Sequence, residues 1–84
     1  ITKNSQYHGN KILVFPNPAT EKITIVSPSE IKKVSIFNCV GQAVYENYIN
    51  GEDVQINTIS FESGFYFIRI ETANEMETHK IIIK

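Results

Sequence analysis

Eighty-four residues fit a single domain with a modest core, since a chain this short buries roughly 60–65% of its unfolded surface. The net charge of -1, from 8 basic and 9 acidic residues, leaves no clustered Lys and Arg of the kind that DNA, RNA or an anionic membrane would require. Cys39 is the one cysteine, which excludes an internal disulfide and a cysteine-rich zinc site, and no apolar run approaches the ~20 residues of a membrane helix.

The chain opens without methionine on a polar run through Asn10, so residues 1–10 read as a linker stub left on a piece of a longer protein. Lys11 to Phe15 form a first, less regular strand. Pro16 and Pro18 remove two backbone donors and hold Phe15 and Asn17 out of the helical region. Such a segment cannot sit in mid-sheet and is expected to carry the chain over an edge, from one sheet to another. Lys22 to Ile25 then alternates apolar with polar. Ser27-Pro28-Ser29-Glu30 reads as a turn with proline at its second position. Lys33 to Ile36 alternates again, and Asn38-Cys39-Val40-Gly41 closes a tight hairpin loop, with Cys39 semi-buried and Gly41 left-handed.

Gln42 to Ile49 is the fourth strand, followed by Asn50-Gly51, a dipeptide suited to a type I′ hairpin turn. Asp53 to Ile56 is the fifth strand. Phe61-x-x-Gly64-x-Tyr66 forms a glycine corner that leads into Tyr66 to Ile70. Thr72 to Glu75 turns the chain into the last strand, Glu77 to Ile83. Alternation over about four to eight residues marks half-buried strands, and turn signals recur every ten residues or so. The expected fold is therefore all-β, an immunoglobulin-like antiparallel β-sandwich of about seven strands over residues 11–84.

A tyrosine just after a corner of such a sandwich returns its hydroxyl to upstream backbone, and Tyr66 is placed either for that role or as a plain core tyrosine. Alternation puts Ile23, Ile25, Val34, Ile36, Val44, Val54, Ile56, Tyr66, Ile68, Ile70, Ile81 and Ile83 inward. Phe37, Phe65, Phe67 and Ile82 fall on the opposite face. Either the first strand and its flanks cover them, or they form a docking patch for a partner protein.

Catalytic chemistry does not assemble. His8 lies in the stub, His79 decorates the last strand, and Glu75 with Glu77 share a strand face but have no evident cleft to shift their pKa values. Asp53 is the only aspartate, so no calcium loop appears, and no glycine-rich phosphate cradle is present. No catalytic residue, metal ligand or cofactor is expected.

The motifs taken together are more specific. Pro16-Asn17-Pro18-Ala19-Thr20 comes first, followed by an alternating strand. Val34-x-Ile36-Phe37-Asn38-x-x-Gly41-Gln42-x-Val44 is next. Phe61-x-x-Gly64-x-Tyr66-Phe67-x-Arg69-Ile70 and Lys80-Ile81-Ile82-Ile83-Lys84 complete the order. This succession resembles the C-terminal sorting domain of type IX secretion cargo proteins of Bacteroidetes, over residues 13–84. Phe61 stands where the family usually has leucine.

The resemblance implies a domain without activity of its own. It would direct a passenger already in the periplasm through an outer-membrane translocon to the cell surface or the medium. A surface sortase would cut within residues 1–10, and the passenger would be released or linked to lipopolysaccharide. The recognised features would be Pro16, Asn17, Pro18, Gly41, Gly64, Tyr66 and Lys80, Ile81, Ile82, Ile83 and Lys84. Thr78 to Ile83, or an edge beside it, could be read by strand addition, or matter only because the fold collapses without it. The implied partners are translocon and sortase proteins, with no nucleic acid and no direct membrane insertion. An open sheet edge could also pair with a second copy. The alternatives are an immunoglobulin-like accessory module for carbohydrate binding or adhesion, or a structural spacer. A carbohydrate site would have to rest on Phe37, Phe65 and Phe67, because tryptophan is absent.

Overall fold

The computed structural model describes residues 11–84; the expected linker over residues 1–10 lies outside them. The fold is all-β, with five antiparallel strands instead of seven: β1 (Leu13–Phe15), β2 (Lys22–Asn38), β3 (Ala43–Asn57), β4 (Gly64–Thr72) and β5 (Met76–Ile83). They form one curled sheet in the order β1-β2-β4-β5, with β3 also pairing β2. The first half of β2 lies between β1 and the end of β3, and its second half lies between the start of β3 and β4.

Two expected turns are bends inside long strands. Ser27-Pro28-Ser29-Glu30 stays within β2, where four residues on β2 face a single residue, Glu52, between the pairs Val26–Asp53 and Ile31–Gly51. A bulge of this kind bends a strand without ending it. Ser27 is buried there, and its hydroxyl donates to the Ser29 carbonyl at 2.6 Å and accepts from the Ser29 amide at 3.1 Å. The backbone groups that a sheet partner would have satisfied are thereby met locally. Asn50-Gly51 likewise makes no type I′ turn. Both residues lie in β3, and only Gly41 and Gly64 have positive φ among the described residues. Because β2 bends, β3 bends with it, and the dipeptide serves as the inner side of that bend.

The core lines the side of the sheet on which alternation placed Ile23, Ile25, Val34, Ile36, Ile56, Tyr66, Ile68, Ile70, Ile81 and Ile83, all of them buried. Within β2 the buried set changes phase, from Ile23 and Ile25 to Val34 and Ile36, because the bend and the register shift between Ile31 and Lys33 intervene. Ile12, Ala19 and Ile31 join the core, and Val54 packs against it only partly buried.

Val44 is a correction: it is 42% exposed. The register runs Ile36–Tyr45 and then Phe37–Ala43, so Val44 is the extra residue of a bulge. One inserted residue turns every side chain beyond it to the other face, and Tyr45 packs against the core where Val44 was expected. Three smaller corrections follow. The first strand is shorter than expected, spanning only Leu13–Phe15. Cys39 is exposed, since it lies in the two-residue turn rather than beneath it. Glu75 belongs to the turn before β5, so it does not share a strand face with Glu77.

Candidate functional site

The most elaborate construction in the molecule joins the proline-flanked segment to the last strand. Pro16 and Pro18 both follow cis peptide bonds, and the chain between them runs beside the edge of β5 that β4 leaves open. Asn17 Oδ1 accepts from the Ile82 amide at 3.0 Å, and Asn17 Nδ2 donates to the Lys80 carbonyl at 3.3 Å. A carboxamide has the donor and acceptor of a peptide group, so this side chain continues the ladder where the backbone cannot. Ala19 then takes over with backbone bonds. Its amide donates to the Ile82 carbonyl at 2.8 Å, and its carbonyl accepts from the Lys84 amide at 2.9 Å. The result is a short parallel bridge, Ala19 to Ile83. Ala19 is fully buried, so a larger side chain has no room there.

Across β5 from this clamp lies the start of β4, with Gly64 opposite Ile83 and Tyr66 opposite Ile81. The Tyr66 hydroxyl donates to the Glu62 carbonyl at 2.7 Å, as the corner motif anticipates. Phe61 packs on the same ring with centroids 5.5 Å apart. Gly64 has φ of 148°, a conformation rarely adopted by residues with a Cβ. These features turn the chain from the loop over residues 58–63 into β4 at a fixed angle.

The remaining predicted residue, Gly41, completes the β2–β3 hairpin with φ of 88°. Its loop is organised by Asn38. The Asn38 Oδ1 accepts from the amides of Val40 at 3.1 Å and Gln42 at 2.9 Å, while Nδ2 donates to Gln42 Oε1 at 3.0 Å. Asn38 is also the register partner of Tyr66. The hairpin and the 60–64 loop together border a half-open cleft of about 600 Å³, whose lining includes Asn38, Val44, Phe61, Gly64 and Tyr66.

The structure therefore gathers Pro16, Asn17, Pro18, Gly64, Tyr66 and Lys80 to Lys84 into one corner, with Gly41 in the adjoining hairpin. Sequence reading did not identify Asn17 as a substitute for backbone, nor Asn38 as the organiser of its loop. The available signal was chemical: each is an asparagine next to positions where backbone pairing must stop. The free edge of β5 is also less free than strand addition requires, because Asn17 and Ala19 already hold Lys80, Ile82 and Lys84.

Among the described residues, titratable groups do not converge. His79 Nε2 lies 2.9 Å from Glu77 Oε1 on β5, both half-buried. No group of three potential metal ligands occurs among the described residues.

The described residues thus form a small all-β module whose most elaborate feature is the corner between Asn17, Ala19 and the last strand. Residues 13–84 match the family model of the secretion system C-terminal sorting domain, and the chain belongs to that family. It is 32% identical over 74 residues to an endo-acting ulvan lyase of Formosa agariphila, covering 86% of this chain and 14% of the lyase. It is 36% identical over 69 residues to ulvan lyase NLR42 of Nonlabens ulvanivorans, covering 80% of this chain and 13% of that one. The chain thus spans about one seventh of these relatives, which are enzymes through the rest of their length. Among solved structures it resembles PorZ, a surface component of the type-IX secretion system of Porphyromonas gingivalis. The TM-score is 0.71 at 18% identity, over 87% of this chain and 11% of PorZ. It also resembles the sulfur carrier protein SoxY of Chlorobium limicola, with a TM-score of 0.52 at 11% identity, over 99% and 91% of the two chains. Both likenesses concern the fold. The domain is a type IX secretion tail and not a catalytic domain.

Proposed function

We propose that this domain is the address of a longer protein, directing a passenger from the periplasm through an outer-membrane translocon to the cell surface or the medium. A surface sortase then cuts within residues 1–10 and frees the passenger from the tag. The translocon reads the closed corner as a unit: Pro16, Asn17 and Pro18 set against Lys80 to Lys84, with Gly64 and Tyr66 behind them and the Gly41 hairpin beside them. We read the two arms of the curled sheet as the layers of an immunoglobulin-like sandwich.

The observation that carries this reading is the clamp. A receptor that accepts many unrelated passengers has to recognise something constant, and Asn17 and Ala19 fix the last strand into a rigid outline. The test fuses residues 1–84 to the C-terminus of an inert periplasmic reporter in a cell with type IX secretion. The expected outcome is reporter at the cell surface or in the medium, with the tag removed. Reporter held in the periplasm overturns the sorting reading; reporter exported with the tag still attached overturns the cleavage step.

A further inference from the structure

The outward face of β4 and β5 shares Lys80 and Ile82 with the corner but extends beyond it over Phe65, Phe67 and Arg69. Phe65 is 50% exposed, and Phe67 and Ile82 are each 38% exposed. β1 does not cover them, since it pairs with Thr24 to Val26 on the far arm of the sheet. In register, Phe37, Phe67 and Lys80 form one row across three strands; Ser35, Arg69 and Thr78 form the next, and Phe65 stands beside Ile82.

Two cations lie within this apolar field. The Arg69 guanidinium sits 4.9 Å from the centroid of the Phe37 ring, and the Lys80 ammonium 4.3 Å from that of Phe65. Neither has a carboxylate within ion-pair distance among the described residues. Lys33, at the margin of the same face, does reach Glu46 at 3.8 Å. Glu46 lies in the row of Ser35 and Arg69, and Glu71 stands two residues from Arg69 on the same side of β4, yet neither makes an ion pair with Arg69. Stacking on a ring holds each cation over the apolar surface without neutralising it.

We propose that this face docks a partner protein whose contact surface is apolar at its centre and carries two carboxylates that meet Arg69 and Lys80. Lys80 is the diagonal neighbour of Arg69 across β4 and β5, about 7–8 Å away. The three phenylalanines offer no polar handle for sugar hydroxyls, which favours a protein over a glycan. The inference rests on the sorting reading and names the contact through which an export partner holds the domain.

The experiment uses the 1–84 reporter fusion with R69E alone, which leaves the corner untouched and should itself lower export, and with R69E/K80E, R69Q/K80Q and R69K/K80R. Lys80 is exposed and Arg69 half-buried against Phe37, so the melt of each variant is compared with that of the parent. Export should fall about tenfold or more for R69E/K80E, the loss expected when repulsion replaces attraction at a docked charge pair. It should fall less for R69Q/K80Q and persist for R69K/K80R. Should the reversed variant melt early, R69Q/K80Q carries the decision. Parent-level export of the folded charge variants overturns the docking face while leaving the sorting reading intact. Failure of the parent fusion to export overturns the sorting reading, and this inference with it. Titrating the isolated 1–84 chain with alginate and with dextran sulfate supplies the other arm. Saturable binding that R69E/K80E abolishes overturns the protein partner in favour of an anionic polysaccharide.

Discussion

Asn17 shows how one side chain can hold two distant parts of the chain together. It spans 65 residues of sequence to reach Ile82, and its two bonds place a carboxamide where a neighbouring strand would otherwise lie. Asn17→Ala should cost about 1–2 kcal/mol, the worth of two hydrogen bonds of which one is long and exposed. At roughly 4–8 °C per kcal/mol for a domain of this size, the loss is readable by thermal melting. Hydrogen exchange at the Ile82 amide should quicken at the same time. Asn17→Asp keeps the acceptor for Ile82 but sets a carboxylate against the Lys80 carbonyl, so it should destabilise at least as much near neutral pH. An unchanged Ile82 exchange rate in both variants would show that the clamp is not a structural bond in solution.

At the scale of the element, the strands were legible where alternation was unbroken and misread where a bulge intervened. Ile68, Ile70, Ile81 and Ile83 follow a period of two in sequence and line the core accordingly. Val44 follows the same rule in sequence and is exposed, because Tyr45 and not Val44 pairs with Ile36. Bulges arise from pairing between distant segments, so a local pattern does not reveal them. The same holds for Asn50-Gly51, whose local preference for a turn yields to a partner strand bending at Pro28. Two glycine substitutions separate these cases. Gly51→Ala should be neutral or stabilise by up to about 1 kcal/mol, since its φ is not positive and the added Cβ meets only an ordinary contact at 3.8 Å. Gly64→Ala should destabilise by about 1 kcal/mol, although nothing lies within 4 Å of the new methyl, because the cost lies in the backbone conformation. Denaturant melts of both variants check the pair; a clear loss for Gly51→Ala would restore the tight hairpin turn.

At the scale of the molecule, the motifs along the chain told more than any single residue: their order pointed to the family that residues 13–84 match. What they left open was geometry, namely that Pro16-Asn17-Pro18 and Lys80 to Lys84 meet in one corner. That union depends on the curl of the sheet, which no short segment encodes. Removing Lys80 to Lys84 deletes the clamp together with Ile81 and Ile83, each 1% exposed. Losing two buried isoleucines alone costs about 4–10 kcal/mol, comparable with the entire stability of a small domain. The truncated chain is expected to show no cooperative melt, and a folded truncate would mean that the last strand is read for its own contacts. The tie between Ala19 and Lys84 also sets a schedule during synthesis. A ribosome cannot let this corner close until the residues at both ends of the tie have emerged from it. Whatever is joined ahead of the domain has that interval to reach its own state first, and the corner is complete only on a chain translated through its last strand.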